Sequence, residues 1–404
     1  MLNSYDYIIV GGGTGGIAVA SSILKRTKDY KIAIIEPMDV HYYQPAWTLV
    51  GGGAFNYDKT ARSMEHVMPA GVDWIKAAAA TFEPDDNQIT LADGQKLSYK
   101  ILIVAAGLKL NWDGVEGLKE TLGKNGVTSN YLPGLSRYTW ELVNEFVGGK
   151  AIFTQPPMPI KCAGAPQKAL YLSCSTWRKS GVLNEVDVEF HTATPGLFGV
   201  ADFVPTLMAY MNKYNADLNF QSNLVKINGE AKLATFKQIN GDGNEEIIEK
   251  SFDMIHVTPP QCAPDFIKSS PLADGNGWVD VDHNSLRHVK YENIYGVGDC
   301  MSAPNAKTAA AVRKQAPIVA CNSINSLKKG HEIDKSYTGY GACPLTVEHG
   351  KVVLAEFGYG GKLEPTFPIE PTKASSLNWL LKEKIMPPVY WKMLLKGHEW
   401  LAKP

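Results

Sequence analysis

The chain has 404 residues, with 40 Lys plus Arg against 41 Asp plus Glu and a formal net charge of −1. That length supports two or three packed units with ample core, and so balanced a charge leaves no electrostatic footprint for a nucleic-acid partner. The six cysteines (162, 174, 262, 300, 321 and 343) form no C-x-x-C pair, zinc spacing or secreted disulfide framework, no H-x-x-H or H-E-x-x-H pattern offers a metal site, and no run of 18 apolar residues could span a membrane.

The first predicted element is an apolar strand over 7–10. Gly11-Gly12-Gly13-Thr14-Gly15-Gly16 follows at once, and then a helix over 17–24. Gly11, Gly13 and Gly16 make a G-x-G-x-x-G turn between strand and helix, where backbone N–H groups can approach a pyrophosphate. The next strand, over 31–35, ends at Glu36, whose carboxylate suits a ribose 2′-OH. Further on, 88–91 reads as a strand turning through Asp93-Gly94, 101–106 as a buried strand ending at Gly107, and 294–298 as a strand ending at Asp299, which is suited to a ribityl hydroxyl. In this order the segments resemble the flavoproteins built from two dinucleotide-binding domains.

Helices are predicted over 138–146, 167–179, 202–214 and 307–327, and strands over 151–154, 187–191 and 254–257. The strand at 151–154 opens a second α/β unit. In an NAD(P)H-dependent relative it would feed another glycine-rich turn. Here it feeds Gln155-Pro156-Pro157-Met158-Pro159-Ile160-Lys161-Cys162-Ala163-Gly164-Ala165-Pro166. Its prolines remove N–H donors, and no glycine triplet admits a pyrophosphate, so no tight NAD(P)H site is expected. The loop instead presents the Cys162 thiol near a helix N-terminus, with Lys161 and Lys168 close by, a setting that favours thiolate. Cys174, Cys262, Cys300 and Cys321 read as small core residues, and His41, His191 and His256 as satisfied core or surface histidines.

Pro159-Ile160-Lys161-Cys162-Ala163-Gly164-Ala165-Pro166, 254–260, 277–282, 307–312, Gly339-Tyr340-Gly341-Ala342-Cys343-Pro344 and 353–357 resemble the sulfide:quinone oxidoreductases, in the branch that includes the mitochondrial enzyme. The resemblance covers nearly the whole chain. It implies an α/β fold of two Rossmann-like domains: 1–110 with 275–330 for FAD, and 111–274 without a nicotinamide loop. Residues 331–404 would be a C-terminal amphipathic helical tail on a membrane surface. It implies that Cys162 and Cys343 are the redox pair, with Cys343 beside the flavin and Cys162 carrying the persulfide. Gly11, Gly13, Gly16, Glu36, Gly107, Asp299, Lys307 and Thr308 would hold FAD. No cysteine lies at 126–131, where some relatives attach it, so non-covalent FAD is expected. Hydrogen sulfide, a quinone and a sulfur acceptor are the implied partners, and assembly into a homo-oligomer stays open. A type II NADH:quinone reductase and a non-enzymatic flavin-binding protein are the rival readings. The first is opposed by the missing second glycine loop, and both by the thiol pair.

In the tail, Trp, Leu and Met interleave with Lys over 377–386 and 389–396, with a break at Pro387-Pro388. This suits a helix pair lying among lipid headgroups, with Trp379, Leu380, Trp391 and Leu394 on apolar faces and Lys382, Lys384, Lys392 and Lys396 available to headgroups. A chain ending at Thr372 should then keep FAD. Phe357 is the expected stacking partner of the quinone. The chain begins almost at its first strand, with no signal or transit peptide seen, and a peripheral position on a bacterial inner membrane is the expectation.

Overall fold

Tyr7, Ile8, Ile9 and Val10 are all buried, as a strand covered on both faces requires. Their strand, Asn3–Val10, is central and parallel, with Ile32–Ile35 on one side and Lys96–Val104 on the other. The sheet runs Val72–Ile75, Ile32–Ile35, Asn3–Val10, Lys96–Val104, then the antiparallel Gln88–Leu91 and Ala79–Glu83. Ile294–Gly296 returns from far along the chain to pair in parallel with the second half of Lys96–Val104. The helices Thr14–Arg26 and Ala309–Lys329 pack against each other over this sheet. The second of these begins later than expected because the Thr308 hydroxyl caps it, accepting from the Ala311 N–H. The computed structural model describes residues 3–330 and 332–404.

The second unit has five parallel strands in the order Val127–Thr128, Met254–His256, Gly149–Gln155, Val186–Thr192 and Asp217–Asn219. The helix Ala165–Ser180 packs on it, and a three-stranded antiparallel sheet over 222–251 follows. The molecule is thus α/β with two Rossmann-like units and a helical C-terminal segment.

A hairpin, Gly341–Glu348 with Lys351–Phe357, lies between the units. Side chains alternate across a strand, and here each face serves a different core. Ala342 packs with the first unit, while Cys343, Leu345 and Val347 pack with the second.

The C-terminal segment departs from expectation. Pro387-Pro388 does not separate two helices. Ser376–Leu380 runs through a π-helical turn, Leu381–Ile385, into Met386–Lys392. The two prolines fall in the first turn of that last piece, where a missing N–H is tolerated, and the wide turn before them absorbs the lost bonds. Among the described residues no helix is long and apolar enough to cross a membrane.

Candidate active site

The strand ends Val10, Val104 and Gly296 open onto one edge of the first sheet, where ligands of such folds bind. A cavity of about 620 Å³ lies there, lined by Gly11, Gly12, Gly13, Glu36, Gly107, Asp299, Lys307 and Thr308 and also by Cys162 and Lys168. Gly11 has φ +107°, and a Cβ on it would sit 2.5 Å from the Ala105 carbonyl oxygen. Gly16 is not in the wall. A Cβ there would come 1.9 Å from the Gly11 carbonyl oxygen, so this glycine lets the helix close onto the strand. Gly13 and Gly107 face open space instead. Glu36 accepts from the Gly12 N–H at 2.8 Å and from the Met38 N–H at 2.8 Å. Burial raises the pKa of the Asp299 carboxyl, against the pull of Lys307. Lys307 donates its ammonium protons to the carbonyls of Asp299, at 2.8 Å, and Met301, at 3.0 Å. A glycine cradle at the start of a 13-residue helix, with acids at Glu36 and Asp299, fits a dinucleotide with ribose and polyol hydroxyls.

The cysteine loop is carried to this cavity by a crossing between the units. Lys161 bridges to Lys307, and the Cys162 N–H donates to the Lys307 carbonyl at 2.9 Å. The Lys161 N–H donates to Gln261 Oε1 at 2.7 Å. Cys162 takes φ +51°, a left-handed conformation uncommon for a residue with a Cβ. Its sulfur lies 4.0 Å from Cys343 Sγ and 3.0 Å from Lys168 Nζ. Cys162 is half-buried and in the cavity wall, whereas Cys343 is fully buried behind it. The hydrogen bond from the Cys343 thiol, with the charge of Lys168, pulls the Cys162 thiol well below its ordinary range against the cost of burial. The same bond and burial push the Cys343 thiol up. The pair is therefore polarised, with a thiolate towards the cavity and a thiol behind. The sequence had put Cys343 nearer the ring, but Ala342 and Pro344 are the cavity-facing residues of that strand.

Of the expected headgroup lysines, Lys384, Lys392 and Lys396 are exposed, but Lys382 is only 2% exposed. Its ammonium donates to the Pro45 carbonyl at 2.8 Å and lines the same cavity. Burial, then the nearby Lys168, brings its pKa down to about 7. Burial likewise brings Lys161 down to about 8, with Gln44 Oε1 at 2.5 Å from its Nζ. Trp391 is buried, while Leu377 and Leu380 are exposed. The cavity is not complete upstream of Thr372, because Leu381, Ile385, Met386, Val389 and Tyr390 form one wall. Phe357 packs edge-on against Phe198, with ring centroids 5.9 Å apart, and is not among the cavity-lining residues; the aromatic Phe367 is. His41 and Tyr390 are site residues that sequence reasoning missed. His41 read as a satisfied core or surface histidine because it follows an apolar residue, and nothing local to it points to Tyr390.

Residues 5–134 match the family described as pyridine nucleotide-disulphide oxidoreductase. The chain is 41% identical to the mitochondrial sulfide:quinone oxidoreductase of Dictyostelium discoideum, covering 99% of this chain and 88% of that one. It is 39% identical to the mitochondrial enzyme of Mus musculus, covering 98% and 87%. The fold matches the crystal structure of the sulfide:quinone oxidoreductase from Aquifex aeolicus with a TM-score of 0.79, at 21% identity over 98% of this chain and 92% of that one. These curated relatives are named as mitochondrial, and nothing in them supports the expected bacterial inner membrane. With a flavin-type cavity and near-full-length relatives at these identities, the chain is an oxidoreductase and belongs to the sulfide:quinone oxidoreductase family.

Proposed function

We propose that this protein oxidises hydrogen sulfide with the Cys162–Cys343 pair and passes the electrons through non-covalent FAD to a membrane quinone. The observation that carries this reading is the polarised thiol pair in the wall of the glycine-turn cavity.

The cycle begins with the pair oxidised as a disulfide. HS⁻ attacks the Cys343 sulfur and the bond to Cys162 breaks. A persulfide forms on Cys343, and Cys162 leaves as thiolate. A thiol of lower pKa is the better leaving group, and Lys168 at 3.0 Å favours the anion on Cys162. This assignment reverses the order that the family resemblance implied. FAD, when bound, accepts the two electrons that restore the disulfide and delivers them to the quinone. The persulfide sulfur goes to a nucleophilic acceptor before the pair closes again. Gly11, Gly13, Glu36, Gly107, Asp299, Lys307 and Thr308 hold the flavin from one side of the cavity, and Gly16 sets the helix that forms the cradle.

The exposed Leu377, Leu380 and Ile385, with Lys384 and Lys392, support a tail that rests on a lipid surface. The cavity walls formed by Ile385, Met386 and Phe367 then make the quinone entry, with Phe367 better placed to stack than Phe357. The deciding experiment is anaerobic mixing of the flavin-loaded protein with sulfide or NADH, read by flavin absorbance. Fast bleaching by micromolar sulfide and none by micromolar NADH is expected. The opposite pattern would overturn the reading.

A further inference from the structure

The C-terminal segment lies along the same helix whose N-terminus forms the glycine cradle. Thr14, Ser21, Ser22 and Arg26 hold it. The Thr14 hydroxyl meets the Tyr390 hydroxyl at 2.8 Å, the Ser21 hydroxyl donates to the Leu395 carbonyl at 2.8 Å, and Ser22 and Arg26 both donate to Glu399. Spacings of seven and eight residues put these anchors on one helix face. A Cβ on Gly397 would sit 2.6 Å from the Ser21 carbonyl oxygen, so the two backbones are nearly in contact.

At the cradle end the hydrogen bonds form a chain whose direction is fixed. His41 Nδ1 lies 3.1 Å from the Gly12 carbonyl oxygen, and Nε2 lies 2.6 Å from the Tyr390 hydroxyl. A carbonyl only accepts, so Nδ1 carries a proton. Burial lowers the His41 pKa to about 4, so the ring is neutral at pH 7 and Nε2 is a bare acceptor. Tyr390 must then donate to Nε2, which leaves its oxygen to accept from Thr14. Every group in the chain is thereby used, and the Tyr390 ring is fixed against Tyr43 at a centroid distance of 4.6 Å.

We infer that Tyr390 is a positioning residue for the flavin cradle: through Thr14 and His41 it holds the Gly12–Thr14 turn, so seating of the C-terminal segment and binding of FAD stabilise each other. The inference rests on the flavin reading above. It identifies the tail as a wall of the cofactor site in addition to any membrane role. Coupling of this kind is reciprocal: the factor by which the seated tail tightens FAD equals the factor by which FAD suppresses tail opening.

Two measurements on the full-length chain test it, both free of turnover. The first is the FAD dissociation constant, by flavin fluorescence, for wild type, Tyr390→Phe, Thr14→Val and the double variant. Each single change should weaken FAD on the order of tenfold, the effect of leaving buried partners unsatisfied, and the double change should cost little more than either alone. The second is tryptic cleavage at Lys384, Lys392 and Lys396 of the wild type, which FAD should slow. Unchanged affinity in Tyr390→Phe, independent multiplication of the two changes, or cleavage indifferent to FAD would each overturn the inference while leaving the flavin reading intact. A wild-type chain that binds no FAD would overturn the flavin reading and the inference with it.

Discussion

Cys343 lies 181 positions after Cys162, yet its sulfur is 4.0 Å away, on the far side of the wall that Cys162 lines. The two thiols thus have different work, and substitutions should separate them. Cys343→Ser and Cys162→Ser should each reduce sulfide-driven flavin reduction by at least about a thousandfold, because neither can then form the bond that HS⁻ attacks. Cys174 is fully buried, burial raises its pKa, and Cys174→Ser should leave the rate within about threefold. Near-normal rates in both of the first variants would rule out the pair. Persulfide trapping and mass spectrometry should find the sulfane sulfur on Cys343.

Lys168 supplies the nearest full positive charge to Cys162. Lys168→Met should raise the Cys162 pKa and slow flavin reduction at pH 7 by about tenfold. Because the deficit is one of thiolate stability, it should shrink as the pH is raised towards 9. Stopped-flow rates over that range check this, and parallel pH profiles for the two proteins would count against it.

The outward face of the tail and its inward face should respond differently. Changing Leu377 and Leu380 together to Ser removes two exposed apolar side chains that do not line the cavity. Vesicle affinity should fall by about a hundredfold, from the transfer energy of such groups, with FAD affinity unchanged. Truncation after Thr372 should lose both, contrary to expectation from the sequence, since it removes a wall of the cavity. Co-sedimentation with anionic vesicles and flavin content of the pellets distinguish the cases.

His41 and His256 are both buried and both have pKa values lowered to about 4 by burial. His256 Nε2 also accepts from the Asn130 N–H at 3.0 Å, which a protonated ring could not do. The folded-state values lie below the unfolded value of 6.5, so the unfolded chain binds more protons between pH 6.5 and 4, and stability falls as the pH is lowered through that window. Each ring contributes a loss of about 3 kcal/mol by pH 4. Ring resonances of the two residues should stay unshifted from pH 7.5 to 5.5 in NMR titrations, and urea midpoints should drop steeply below 6.5.

Gly16→Ala should destabilise the apo-protein by about 3 kcal/mol, because the new methyl meets a backbone oxygen that cannot turn aside. Gly13→Ala should be well tolerated by the fold, since nothing lies within 4 Å, but should impair flavin binding by intruding on the cavity. Urea unfolding of the apo-forms, followed by FAD titration, separates the two effects.

The first unit was legible in the sequence because its signals are local. The strand, the glycine turn, the helix and Glu36 fall within a few dozen residues, and each carries its own physical reason. The thiol loop was legible for the same reason: Cys162 sits in a run with Pro156, Pro157, Pro159 and Pro166, at the start of a helix and six residues before Lys168. The tail was misread at Lys382 and at Pro387-Pro388. A period of 3.6 assigns faces only to a regular helix, and the π-helical turn at Leu381–Ile385 shifts the phase and swings Lys382 inward. The His41–Tyr390 contact joins residues 349 positions apart, and no pattern in either neighbourhood announces it.

The hairpin strand Gly341–Glu348 is effectively a two-sided partition. It is pinned by its neighbour, with Cys343 opposite Ala355 and Pro344 opposite Leu354. Sliding it by a single residue would exchange its faces, turning Cys343 towards the cavity and Pro344 towards the place of the buried thiol. Insertions and deletions in the connecting stretch at 366–375 leave that parity untouched, whereas one residue gained or lost between Tyr340 and Cys343 inverts it. Length variation in descendants of this chain should therefore accumulate beyond the hairpin and be purged within it.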